Sequence, residues 1–195
     1  MSAHLMVKFF ILLCIFVTLA SSASSQDFVS AKILNAQGAV QIVRLESSTN
    51  VVINVPIREN EPVLAGDVVK TNTGGRLVLG ISDGSQAIIA PNTTVEIRDL
   101  SSSPRTIFNV LRGKTRIMIQ KMGGKPNPYR VTTPTTVIAV RGTIFDVFVK
   151  GKRTEVFVSE GEVNVTNLTL TDQGVILVPG QFTFVEETVP PRSPK

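Results

Sequence analysis

The chain has 195 residues, with 20 Lys and Arg against 15 Asp and Glu, so its formal net charge is +5. A hydrophobic fraction of 43% with 18% charged residues is typical of a globular chain and excludes a disordered one. The single histidine and single cysteine, His4 and Cys14, both lie near the N-terminus. If that stretch is removed, no imidazole or thiol remains for a catalytic pair, a zinc site or a disulfide. We therefore expect no catalytic residues, no metal site and no cofactor.

Residues 1–25 have the order of a secretory signal peptide. Lys8 precedes an apolar run from Phe9 to Ala20, and small residues follow at once. We predict cleavage after Ala23, with a site after Ser25 as the alternative. An uncleaved anchor is also conceivable, but the run is shorter than the roughly 20 residues that a bilayer core requires. The sequence thus predicts a periplasmic or secreted protein that meets the membrane only during export.

The rest of the chain predicts one all-β domain over residues 26–187. Apolar and polar residues alternate in the five segments 77–81, 95–97, 117–119, 145–149 and 163–165, which indicates half-buried strands. A Gly followed by a short strand recurs in GGRLVLG, RGKTRIMI, RGTIFDVFV, EGEVNV and PGQFTFV. Such a recurrence favours a roll, sandwich or solenoid of short strands joined by tight Gly turns. Residues 188–195 (TVPPRSPK) predict a disordered, Pro-rich tail.

Several Gly, Asp and Thr residues are predicted to have structural roles at turns. Gly66 and Asp67, followed by Thr71, predict a turn in which the Asp carboxylate accepts backbone hydrogen bonds. One carboxylate supplies too few oxygens to bind calcium. Asp83 and Gly84 predict a hairpin turn. The remaining positions of this kind are Gly113, Gly142, Thr143 and Gly161.

These segments, in their order along the chain, resemble a FecR-like domain across residues 38–185. The most specific part is the pattern V-x-TP followed by AVRGT-x-F-x-V within residues 129–149, supported upstream by GD-x-x-x-T and DGS. The resemblance implies an extracytoplasmic all-β module, best known from the periplasmic part of anti-sigma regulators that relay signals from an outer-membrane receptor. It brings no catalytic residues. Those regulators carry a cytoplasmic anti-sigma segment before their membrane helix, and we expect this chain to lack one because its apolar run begins at Phe9.

Positive charge is concentrated in one segment. Between Arg105 and Arg153 there are eleven basic residues and one acid. Arg112, Lys114 and Arg116 alternate, so they would share a strand face if the strand continues through Gly113. They either pair with Glu155, Glu160 and Glu162 on a neighbouring strand, or they form a surface for an anionic partner.

Arg141 lies between two apolar runs and has two interpretations. It either hydrogen-bonds loop carbonyls or pairs with Asp146 or Glu160, or it is presented to an anionic ligand. We therefore take Arg112, Lys114, Arg116 and Arg141 as the candidate ligand-binding surface. The segment has few aromatic residues to interleave with bases, so we expect no nucleic-acid partner.

Three functions are compatible with these features. The leading hypothesis is a secreted or periplasmic binding or signalling module, without catalytic activity, that contacts an envelope protein or an anionic surface ligand. The first alternative is a structural envelope protein that oligomerises through exposed strand edges. The second is a glycan-active enzyme that uses a carboxylate pair, either Glu160 with Glu162 or Glu59 with Glu61.

Overall fold

A computed structural model describes residues 31–46, 48–98, 105–122, 125–126 and 128–195. The predicted signal peptide lies outside these ranges. Within them the chain forms strands and turns only, so the all-β prediction is confirmed. The strands are β1 (Ala31–Gln37), β2 (Val40–Glu46), β3 (Val51–Val55), β4 (Pro62–Val63), β5 (Val68–Thr71), β6 (Arg76–Ile81), β7 (Gln86–Ile89), β8 (Thr94–Ile97), β9 (Arg105–Met118), β10 (Lys121–Met122), β11 (Lys125–Pro126), β12 (Pro128–Thr132), β13 (Thr136–Arg141), β14 (Ile144–Lys150), β15 (Arg153–Glu160), β16 (Val163–Asn167), β17 (Gly174–Leu177) and β18 (Phe182–Glu186).

The long strand β9 connects two layers of one open sheet. Its first part, up to Arg112, pairs with β8 and β12, and its second part, from Gly113, pairs with β7 and β14. The first layer has the order β4-β1-β6-β7-β9-β14-β15-β18, and the second has the order β3-β2-β5-β8-β9-β12-β13-β16-β17. Neighbouring strands are antiparallel except β9 and β12, which are parallel. The sheet therefore rolls over on itself at β9.

Successive hairpins alternate between the layers. The β6–β7 and β14–β15 hairpins belong to the first layer, and the β12–β13 and β16–β17 hairpins belong to the second. Each hairpin has one apolar face, which becomes buried only when a hairpin of the opposite layer packs against it. The chain therefore crosses to the opposite layer after each pair of strands. This winding explains the recurrence of a Gly followed by a short strand.

The core lies between the layers and follows the period-2 pattern of the sequence. In β14 the side chains of Phe145, Val147 and Val149 are buried, whereas their neighbours are more exposed. Val95 and Ile97 contribute from the second layer in the same way. The alternating segments predicted from the sequence are thus strands with one buried face.

Threonine side chains also bridge the two layers. Thr154 of β15 hydrogen-bonds Thr133 and Thr135, which precede β13, with both oxygen–oxygen distances at 2.8 Å. All three residues are buried. Their hydroxyls satisfy one another inside the core, so the polar groups there keep partners without water.

The C-terminal segment lies along β18, which differs from the disordered tail that its composition predicts. The backbone N–H of Arg192 donates to the Phe184 carbonyl, and Lys195 exchanges two backbone hydrogen bonds with Phe182. Pro191 is buried. Proline cannot donate, but the N–H groups of Arg192 and Lys195 reach alternate residues of β18, so an extended Pro-rich segment still pairs with the edge of the sheet.

Candidate functional site

The turn at Asp67 contains a buried ion pair that the sequence did not indicate. The Asp67 carboxylate accepts hydrogen bonds from Arg44 Nε and Nη2, both at 2.7 Å, and from the Leu64 N–H at 2.9 Å. Asp67 is fully buried, and the Arg44 side chain is 22% exposed. The hydrogen bond to Asp67 raises the pKa of Arg44 above its usual value. Asp67 therefore fixes β2 to the loop before β5, and its carboxylate is fully engaged in this structural role.

Thr71, the third residue of this motif, joins β5 to the turn before β8. Its hydroxyl donates to the Ala90 carbonyl at 2.6 Å and accepts from the Thr93 N–H at 3.0 Å. Thr71 is buried. Its contacts satisfy backbone groups of a turn inside the domain, which is a structural role.

Asp83 and Gly84 form the turn between β6 and β7. The Ser85 N–H donates to Asp83 Oδ1 at 2.8 Å, and Gly84 has a φ of 85°. The Tyr129 hydroxyl donates to Asp83 Oδ2. Because Tyr129 belongs to β12, this contact ties the hairpin of the first layer to a strand of the second.

Gly113, Gly142 and Gly161 mark corners where the chain passes between layers, each with a positive φ. A Cβ on Gly113 would collide with Thr93, which immediately precedes β8, and a Cβ on Gly161 would lie 2.8 Å from the Gly142 carbonyl oxygen. Thr143 is buried beside this contact. These positions require glycine both for their backbone conformation and for the close approach of two chain segments.

The four candidate ligand-binding residues are not brought together. Lys114 and Arg116 follow the corner at Gly113 and lie in the first layer, whereas Arg112 precedes it and pairs with Thr94 of the second layer. Arg141 lies at the end of β13 in the second layer. The corner at Gly113 therefore places the basic residues on the outer faces of two different layers. An interpretation that treats residues 112–116 as one straight strand cannot predict this division.

Lys114 and Arg116 share an acidic partner other than the three glutamates considered for them from the sequence. Both basic groups approach Asp146 of β14, at 3.8 and 3.4 Å, and Arg116 Nη2 donates to Ser159 Oγ at 3.1 Å. The strand beside β9 is β14 and not β15, so Glu155 is not the neighbour that pairs with them. Asp146 makes its ion pairs with Lys114 and Arg116 and none with Arg141.

Three exposed phenylalanines lie next to one another on the outer face of the first layer. Phe157 of β15 is directly opposite Phe182 of β18, and Phe148 of β14 is a diagonal neighbour of Phe157. Their exposures are 39% to 41%. They line a groove of about 420 Å³, with Lys114 and Glu155 at its margin. We call these three residues the Phe patch; sequence reasoning missed it because its members come from three separate strands.

A fourth ring on this face, Phe184, is already covered. The guanidinium groups of Arg153 and Arg192 lie 3.8 and 4.4 Å from its ring centre, a cation–π geometry. Arg153 also pairs with Glu155 at 2.8 Å. The C-terminal segment thus closes one end of the face, while the Phe patch stays open.

The outer face of the second layer carries a separate groove of about 330 Å³ across β12, β13 and the start of β16, with charged side chains in its lining. Its floor is Ala139, with Arg130 directly opposite on one side and Asn164 directly opposite on the other. Arg141, the last residue of β13, and Glu162, immediately before β16, line the groove two residues away from Ala139 and Asn164. Neither arginine makes an ion pair with another described residue, and neither does Glu162. We call this site the arginine groove.

The carboxylate pairs considered for an enzyme lie at turns. Glu160 and Glu162 flank Gly161 on the surface, and Glu59 precedes Glu61 in the turn before β4, where Glu61 lies 4.0 Å from an Arg side chain. Among the described residues, no three His, Cys, Asp or Glu side chains are grouped to hold a metal ion, and no helix is long and apolar enough to cross a membrane.

Comparison with known proteins assigns the family. The model of the FecR protein family matches residues 67–164, about half of the chain. Two crystal structures of a protein described as an anti-sigma factor from Parabacteroides distasonis ATCC 8503 are similar in fold, each with a TM-score of 0.54 and 19% sequence identity. Each alignment covers 66% of this chain and 58% of the other. No curated protein matches significantly. The chain belongs to the FecR family.

Proposed function

We propose that this protein is an extracytoplasmic signalling or regulatory module without catalytic activity, which acts by contact with an envelope protein. The observation that carries the proposal is the Phe patch on the outer face of the first layer. Exposed aromatic side chains with polar or charged groups at their margin are typical of a protein interface, whose centre is aromatic and whose rim is polar. FecR-family membership supports a regulatory role, and the N-terminal sequence supports export.

The rigidity of the face supports the same function. Phe148 and Phe157 lie on the two strands of one hairpin, and β15 pairs with β18 along five residues. Rings held on paired strands lose little conformational entropy when a partner packs against them. A partner that packs an apolar side chain against the rings would remove apolar surface of both from water.

Affinity capture from an envelope fraction tests the proposal. The mature chain is immobilised and compared with the double variant Phe157→Ser/Phe182→Ser and with the control Leu45→Ser/Val52→Ser. Leu45 and Val52 also form a directly opposite pair of exposed apolar residues, but on β2 and β3 in the second layer. We expect one envelope protein to be captured by the wild type and the control and lost with the Phe patch variant. Equal capture by both variants would contradict the proposal, as would no capture at any salt concentration.

A structural, oligomeric role is the second candidate, and the edge strand β3 favours it. Val51 and Val52 are 54% and 64% exposed, and the strand VVINV carries no charge. An uncovered apolar edge is a template for pairing with another chain. Light scattering of the mature protein separates the two candidates. A concentration-dependent oligomer that Leu45→Ser/Val52→Ser dissolves favours the structural role, whereas a monomer rejects it.

The proposed location has its own test. Mass spectrometry of the protein recovered from the envelope or medium should show a chain that begins near residue 24 or 26, as the predicted cleavage after Ala23 or Ser25 requires. A full-length chain that begins at Met1 in the cytoplasmic fraction would contradict export.

A further inference from the structure

We propose that the arginine groove binds a sugar that carries a single carboxylate, such as a uronic acid unit of a polysaccharide. This ligand site is distinct from the Phe patch, because it lies in the other layer, on β12, β13 and β16. It therefore does not depend on the protein contact proposed above.

The two arginines are positioned to hold one anionic group. Arg130 is opposite Ala139, and Arg141 is two residues further along β13, so the two positions are diagonal neighbours, about 7–8 Å apart. Ala139 between them leaves only a methyl group above the sheet. Two guanidinium groups over a small floor can both donate to the same carboxylate, and Arg binds carboxylates in a planar, bidentate manner.

The charge of the groove favours a monoanion. Arg130 and Arg141 contribute two positive charges, and Glu162 contributes one negative charge; other described residues neutralise none of the three. The groove therefore has a net charge of +1, which one carboxylate balances. A doubly charged phosphate would leave an excess negative charge beside Glu162, and like charges at close range are unfavourable.

The remaining polar groups fit hydroxyls. The Asn164 carboxamide on β16 and the Glu162 carboxylate immediately before β16 lie on the side of Ala139 away from Arg130. A carboxylate accepts hydrogen bonds only, and a carboxamide both donates and accepts, so together they match the hydroxyl groups of a sugar ring. A volume of about 330 Å³ is at the small end of ligand sites, which suits one or two sugar rings.

Titration of the mature, isotopically labelled protein with glucuronate, glucose and glucose 6-phosphate tests the proposal, with backbone amide shifts as the readout. We expect glucuronate to shift amide signals of β12, β13 and β16, and to bind at least about tenfold more tightly than glucose. Glucose 6-phosphate should bind more weakly than glucuronate. Stronger binding of the phosphate, equal binding of glucose, or shifts confined to other strands would each overturn the assignment.

Two variants and a matched control complete the test. Arg141→Gln removes one guanidinium and should weaken glucuronate binding about tenfold. Ala139→Phe fills the floor without changing the charge and should abolish binding. Arg112→Gln is the control, because Arg112 is also an exposed arginine of the second layer but lies outside the groove. If Arg112→Gln and Arg141→Gln weaken binding equally, the ligand senses only net charge and the proposal is wrong; amide spectra of each variant verify that it is folded.

Discussion

The buried pair between Arg44 and Asp67 provides a sharp test of how this domain is held together. In Asp67→Asn the side chain keeps its shape but loses its charge, and at least one of its three hydrogen bonds from Arg44 and Leu64 must weaken. Breaking a fully buried pair costs about 3–5 kcal/mol. Because the Arg44 side chain is 22% exposed and can regain some water, we expect a loss of about 2–3 kcal/mol in the free energy of unfolding.

A surface ion pair of similar length is the control. Lys152 Nζ lies 2.6 Å from Glu187 Oε2, but the two side chains are 80% and 49% exposed, and exposed pairs contribute little. Urea unfolding should show the predicted loss for Asp67→Asn and almost none for Glu187→Gln. In thermal unfolding the first variant should melt roughly 5–10 °C lower than the wild type. If both variants lose the same small free energy of unfolding, burial does not make the Arg44–Asp67 pair more stabilising than the exposed pair.

Two further predictions concern glycine and phenylalanine positions. Gly113 and Gly180 have nearly equal φ values of 87° and 86°, but of the two only Gly113 has another chain segment, the turn before β8, within reach of an added Cβ. In urea unfolding, Gly113→Ala should therefore lower the free energy of unfolding by about 3 kcal/mol or more, and Gly180→Ala by about 1 kcal/mol. Equal losses would show that close approach at the corner of β9 is unimportant. Phe145→Ala should cost about 3–5 kcal/mol because the ring is buried, whereas Phe148→Ala should cost about 1. A larger loss for Phe148→Ala would contradict its position on an outer face.

The strands were predictable because their period-2 pattern is local. Each buried residue of β14 is separated by one position from the next, and the sequence alone shows this alternation. The turn at Asp83 and Gly84 was predictable for the same reason, since the hydrogen bond from the Ser85 N–H to Asp83 spans two residues.

The candidate sites were less predictable because they depend on which strands become neighbours. Asp67 pairs with Arg44, 23 positions earlier, and no local pattern connects them. Lys114 was assigned to a face with Arg112, but the corner at Gly113 places the two in different layers. Asp146 was visible as the lone acid of the basic segment, yet only the register of β14 against β9 shows that it pairs with Lys114.

The Phe patch and the arginine groove could not be predicted from the sequence for the same reason. Phe157 and Phe182 are 25 positions apart in the chain and meet only because β15 pairs with β18. Arg130 and Arg141 are brought together by the β12–β13 hairpin, and Glu162 joins them from the turn between β15 and β16. A surface built from alternate residues of several strands has no signature in any one segment of the sequence.

Site-specific photo-crosslinking in the native cell tests the central claim, that the protein acts by contact through the Phe patch. A photoreactive phenylalanine analogue is introduced at Phe157 and, separately, at Val52 on the exposed edge strand β3. We predict that position 157 gives a covalent adduct with one other envelope protein and that position 52 does not. An adduct formed only from position 52, or adducts of the same partner from both positions, would contradict the claim.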